Sequence, residues 1–149
     1  MIPNLFKKLL LLHLLCFPLI CFSQKGFSEN WETITQHEYA QIEARRINCP
    51  DSSNGVFYRN IVFRIRNLSS SPIRVSWNYK PWINGEPIKV DVSDTGKLNN
   101  FHLQVGETVE GRCGEQRLCE YQSFIDKPEV PALTGFELVN FSVTLNPDE

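Results

Sequence analysis

The sequence predicts an all-β protein, an antiparallel β-sandwich of seven to eight strands carried behind an export signal. Three observations predict it. The first 23 residues have the layout of a secretory leader. The rest is a series of short alternating apolar and polar runs, divided by Gly, Pro, Asn and Ser. No repeat, low-complexity tract or linker interrupts that series, so the 126 residues after the leader fit one domain.

The leader comes first. Lys7 and Lys8 form its positive start, and Leu9 to Ile20 is apolar apart from His13, Cys16 and Pro18. Cys21 and Ser23 are small residues two apart, which sets cleavage between Ser23 and Gln24. An uncleaved anchor would need roughly 20 apolar residues, and this run is shorter and contains Pro18. Lipid attachment at Cys16 or Cys21 would want a small residue just before the cysteine, where Leu15 and Ile20 stand. The division expected is therefore signal peptide 1–23, lead-in 24–38 and sandwich 39–149, with the protein in the periplasm or outside the cell and no membrane span left after cleavage.

Each strand then follows from its period. Tyr39 to Asn48 reads as a first long strand with Ile42, Ala44 and Arg46 on one face. A helix over 28–46, with Trp31, Ile34, Tyr39 and Ile42 on one side, stays open as the rival. Val56 to Asn67 alternates Ile61, Phe63 and Ile65 with Val62, Arg64 and Arg66. After the Ser-rich turn, Ile73, Val75, Trp77 and Tyr79 point to one side of the next strand and Arg74, Ser76, Asn78 and Lys80 to the other. Asn84-Gly85 suits a hairpin turn whose two central residues take positive φ, leading to a strand over Pro87 to Val92. Phe101, Leu103 and Val105 form the inward face of a strand ending at Gly106. Thr108–Cys113 and Leu118–Phe124 are expected to pair as a hairpin, and 126–134, with Pro128 and Pro131, to be a loop. In the closing strand the alternation changes phase between Leu138 and Phe141, which calls for a bulge near Val139-Asn140. Seven or eight strands at this spacing fit an immunoglobulin-like sandwich.

A resemblance supports this. The run from Val62 through Asn67-Leu-Ser-Ser-Ser-Pro72 to Trp77 is similar to the B-to-C hairpin of bacterial immunoglobulin-like modules. Leu103-Gln-Val-Gly-Glu-Thr-Val109 resembles their later turn, with Val105 where Pro is common. Together with Trp82-Ile-Asn-Gly85, Val109-Glu-Gly-Arg-Cys113 and Leu133-Thr-Gly-Phe-Glu-Leu138, the mature chain resembles a group of small, secreted, uncharacterised bacterial proteins. The resemblance implies a fold and an address, with no activity attached. Where such relatives carry cysteines after the Trp-x-x-Gly turn, this chain has Glu86-Pro87-Ile88.

Charge narrows the partner. Without Lys7 and Lys8 the chain has 13 cations against 17 acids, a net of −4, which argues against nucleic acid. The cations concentrate from Tyr39 to Lys80 and the acids after Phe101. Either oppositely charged strands pair across a sheet, or a basic face meets an anionic ligand. The candidate ligand surface is Arg64, Arg66, Arg74 and Lys80, with Trp82 at the rim as a stacking aromatic. An anionic glycan or another protein is the partner such a surface suits.

Three cysteines remain after the leader, so they cannot all pair internally. Cys49–Cys113 closes a long loop, worth roughly 3–4 kcal/mol by chain entropy. Cys113–Cys119 is the alternative; it is strained if the two point to opposite strand faces. The leftover thiol is either buried or links two chains. No second cysteine pair or nearby histidine completes a zinc site, and no cofactor is expected. Asp94-Thr95-Gly96 spells the aspartic-protease triplet, but that chemistry needs two such aspartates and one copy is present. Asp91 and Asp94 match no calcium loop. His37 and His102 are the histidines past the leader, and neither sits in a catalytic motif. Asn67-Leu-Ser69 and Asn140-Phe-Ser142 read as glycosylation sequons in a eukaryotic secretory pathway. Three functions follow in order: a secreted non-enzymatic binding module, an assembly protein dimerising through a free cysteine or edge strand, and an enzyme of unrecognised type.

Overall fold

The computed structural model describes residues 27–88, 99–115 and 117–146. The leader, its cleavage site, most of the strand expected at Pro87–Val92, Asp91 and Asp94–Gly96 lie outside the described residues. Every element described is a strand: β1 (Glu32–Gln36), β2 (Ala40–Asp51), β3 (Val56–Asn67), β4 (Ile73–Ile83), β5 (Glu86–Pro87), β6 (Asn99–Leu103), β7 (Thr108–Glu110), β8 (Cys119–Phe124) and β9 (Leu133–Leu145).

The strands form two antiparallel sheets. In the first, β1, β2 and β3 lie in order, and β7 and β8 share the far side of β3. In the second, β4 is central, with β9 along one edge and β6 and β5 along the other. Period-two alternation gives each sheet one apolar face, and the two faces share one core. Ile42, Ile61, Phe63 and Ile65 come from the first sheet; Ile73, Val75, Trp77 and Leu103 come from the second. Trp77, 2% exposed, stacks on Phe101 with ring centroids 5.3 Å apart.

Several expectations hold in detail. β3 has the boundaries the alternation gives, and β4 runs three residues past Lys80. Asn84 and Gly85 take φ of 50° and 85°, as a tight hairpin turn requires. The phase change in β9 is real. Asn140 has φ 55° and the register with β4 shifts between Ser76 and Asn78, so Leu138 and Phe141 both reach the core.

Others need correction. The stretch open to a helix is strand: β1 and β2 form an antiparallel pair, and Trp31 stacks on Arg45 and Arg64 at 4.6 and 4.3 Å. Two guanidiniums on one indole fix this segment to the sheet, which a free helix would not allow. β7 and β8 do not pair with each other; both pair with β3, end to end. The switch point is Gly111, whose N–H donates to the Phe63 carbonyl while the Leu118 carbonyl accepts from the Phe63 N–H. A Cβ at Gly111 would overlap that Leu118 carbonyl, so only glycine lets the two segments meet. Val105 is not inward: β6 ends at Leu103, and the turn at Gly106 leaves Val105 57% exposed.

Asn67 secures the turn between the sheets. It is 5% exposed, and its Nδ2 donates to the carbonyls of Ser71 and Gln104 at 2.8 and 2.9 Å. Its Oδ1 accepts from the Ser69 N–H and hydroxyl, both at 2.8 Å. An amide so engaged is a structural bracket, and the first sequon is spoken for by the fold.

Candidate functional site

The five residues of the candidate ligand surface do not meet. Arg64 and Arg66 project from the outer face of the first sheet, on β3; Arg74, Lys80 and Trp82 belong to β4 of the second. The cause is the chain crossing between layers at Asn67–Pro72: neighbours in sequence become opposite faces of a sandwich. Arg64 pairs with Glu43 at 2.8 Å, and Arg66 reaches the same carboxylate at 3.7 Å. Arg74 Nε donates to His102 Nε2 at 3.0 Å. Lys80 stands opposite Glu137 in register. Trp82 is half-buried and stands opposite Gly135 in register. Arg64 and Arg66 are thus matched by an acid of their own stretch, and Arg45–Glu110, at 3.3 Å, joins the cation-rich stretch to the acid-rich one.

A concavity lies elsewhere, along the side of the sandwich where β6 of one sheet faces β7 and the segment leading into β8 of the other. It measures about 680 Å³. Phe101, Val109 and Leu118 make its floor, and His102, Glu110, Glu115 and Arg117 its rim. Arg117 stacks on the Phe101 ring at 4.4 Å and donates from Nη2 to the Asn100 carbonyl at 2.7 Å. The Asn100 carbonyl therefore points away from β4, into the groove. Leu118, 6% exposed, holds φ 57°. A leucine in that region costs about 1 kcal/mol, offset here by its buried side chain and its carbonyl's bond to Phe63.

The groove gathers His102 with two carboxylates, Glu110 and Glu115. All three groups are engaged: His102 Nε2 accepts from Arg74, Glu110 pairs with Arg45 at 3.3 Å, and Glu115 Oε2 accepts from the Arg112 N–H at 3.2 Å. His37 is remote from it, in the turn between β1 and β2, with its Nδ1 accepting the Tyr39 N–H. Sequence reasoning did not find this groove. It exists because β6 and β7–β8 arrive side by side from different layers, and no local pattern encodes that.

The cysteines resolve into Cys49–Cys113, with Cα atoms 5.5 Å apart, and a free Cys119. The disulfide lies on the outer face of the first sheet, since Cys49 is opposite Tyr58 in register and Tyr58 points away from the core. It ties the loop after Gly111 across β3. Cys119 is half-buried, and its Sγ accepts from Asn60 Nδ2 at 3.3 Å. Burial pushes its thiol above the ordinary range, so it resists ionisation and is poorly presented to a second chain.

One half-buried acid joins the layers. Tyr79 from β4 donates its hydroxyl to Glu120 Oε2 on β8 at 2.8 Å. Burial raises the Glu120 carboxyl, and the Tyr79 bond partly opposes it. Burial likewise raises the Tyr79 phenol, with the Glu120 charge adding to it. Among the described residues no cluster of three metal-ligating side chains forms, and no helix is long and apolar enough to cross a membrane. No family model matches the chain, and no curated protein or solved structure matches it.

Proposed function

We propose that this is an exported, non-catalytic module with an immunoglobulin-like β-sandwich, whose role is to bind another protein through the groove between β6 and β7–β8. The strand order supports the fold. Consecutive strands change sheet at β3–β4, β6–β7 and β8–β9, and a core tryptophan, Trp77, sits on the central strand β4, as immunoglobulin-like domains arrange theirs. The disulfide differs, lying on the outside of one sheet rather than between the two. Export is supported by the leader in the sequence and by the disulfide, which an oxidising compartment maintains.

The observation that carries the binding reading is the groove itself. It has an apolar floor, a rim with both charge signs, and a sheet-edge carbonyl turned into it. That composition suits a polypeptide better than an anionic glycan, since Glu110 and Glu115 face whatever enters. To test it, a photo-crosslinking residue is placed at Glu115, with a control at Arg66 on the outer sheet face, and the full chain is exported from its own host. A discrete adduct from Glu115, absent from Arg66 and lost with Arg117→Glu, supports the reading. Equal labelling from both sites, or none from Glu115, overturns it.

A further inference from the structure

A second concavity, different from that groove in chemistry and separated from it by the Gly114–Glu115 segment, opens on the outer face of the first sheet. Three parts of the chain enclose it. The outward side chains Tyr58 and Asn60 of β3 make the floor; the turn residues Asp51, Ser52 and Ser53 make one wall; the disulfide and Gly114 make the other. Its volume is about 380 Å³, the scale of one or two sugar rings rather than of a peptide segment.

The lining has a definite character. Tyr58 lines the cup, and its ring packs against Phe124 and Tyr121, centroids 5.3 and 6.1 Å away. Its orientation is therefore set before any ligand arrives, which limits the entropy lost on binding. Opposite stand two exposed hydroxyls and one carboxylate. Asn54 fixes that carboxylate, donating from Nδ2 to Asp51 Oδ2 at 2.8 Å and from its N–H to Oδ1 at 3.3 Å. Each oxygen keeps a further lone pair for a ligand hydroxyl. Among the described residues, no lysine, arginine or histidine lines the cup.

We infer that this cup is a binding site for a neutral saccharide. A pyranose has an apolar C–H face that lies on an aromatic ring and a belt of hydroxyls that donates to carboxylate and serine oxygens. The cup presents both at one place. The lone negative charge of Asp51 and the missing cation select against phosphorylated, sulfated or uronic-acid sugars. Tyr121, 42% exposed, meets the Tyr58 ring edge-on at an interplanar angle of 79°, so it borders the cup without extending its stacking face.

The test is a two-dimensional NMR titration of the full mature chain. The probes are methyl β-glucoside, N-acetylglucosamine and the β-1,4-linked tetramer of each. Saturable shifts confined to Asp51–Ser53, Tyr58–Asn60 and Cys113–Gly114 are expected. Binding should fall at least about tenfold in Tyr58→Ala, which removes the stacking face. Ser53→Trp, at an exposed turn position that fills the cup without touching the core, should abolish it with the fold intact. Tighter binding of the tetramers would identify a polymer as the source; equal binding of monosaccharides would identify free sugar. No shifts with any probe at tens of millimolar, shifts located elsewhere, or unchanged binding in Ser53→Trp would overturn the inference.

Discussion

Removing the Cys49–Cys113 bridge should cost this domain a large part of its stability. The bridge spans a sequence separation of 64 residues. In the chain-entropy treatment a loop of that length removes about 14–15 cal/mol/K from the unfolded ensemble, or about 4 kcal/mol at 25 °C. Folded domains have only about 5–15 kcal/mol to lose. The native state should tolerate the change, because Ser is smaller than Cys and the sheet pairing of β2 with β3 does not depend on the bridge. The comparison is Cys49→Ser/Cys113→Ser/Cys119→Ser against Cys119→Ser alone, so that no thiol can exchange in either protein. Urea unfolding should show a loss of about 4 kcal/mol, and thermal unfolding a Tm lower by about 12–20 °C for a domain of this size. A loss below about 1 kcal/mol at an unchanged urea slope would refute the reasoning: the loop after Gly111 would then be held in the unfolded chain by something other than the bridge.

Other outcomes follow from single side chains. Asn67→Ala should destabilise by about 2–3 kcal/mol in urea unfolding, because it strips hydrogen bonds from the Ser71 and Gln104 carbonyls at a buried site; a loss within about 0.5 kcal/mol would contradict the bracket role. Burial holds the folded-state pKa of Glu120 above its unfolded value, so ionising it opposes folding. Its penalty is absent below the unfolded value of about 4.3, grows as pH rises through the raised folded value, and is constant above it. Glu120→Gln, which keeps an acceptor for Tyr79, should therefore flatten the pH dependence of stability on the mildly acidic side of neutrality; an unchanged profile would count against it. At the β9 bulge, Asn140→Gly should stay within about 0.5 kcal/mol of the parent, whereas Asn140→Val should cost about 1–2 kcal/mol, since a β-branched residue resists φ 55°; equal stability of the two would remove the bulge from the account.

What the sequence disclosed depended on range. β3 and β4 were legible because Ile61, Phe63 and Ile65, and Ile73, Val75 and Trp77, keep a two-residue period into the core, although Val62 and Asn78 are buried off that period. The Asn84-Gly85 turn and the Asn140 bulge were legible because each is a local conformational demand with a local residue signature. β1 was not: Glu32–Gln36 is a half-exposed edge strand, and its apolar residues are too few to set a period. The tandem pairing of β7 and β8 on β3 was hidden for another reason. A hairpin is the default for two adjacent strands, and only the overlap that Gly111 avoids at Leu118 explains the departure. The candidate sites were hidden more deeply. Alternation correctly placed Arg64, Arg66, Arg74 and Lys80 on outward faces, but it carries no information about which sheet a strand joins. The groove and the cup both form between segments distant in sequence, one by apposition of two layers, the other by a covalent tie.

The most direct test of the account is the intact mass of the exported protein, measured with and without reduction and followed by peptide mapping of the bridge. The account predicts a soluble chain beginning at Gln24, with Cys49 joined to Cys113 and a Cys119 that alkylates only after unfolding. A lipid-shifted mass, a retained leader, a Cys113–Cys119 bridge or a disulfide-linked dimer would contradict it.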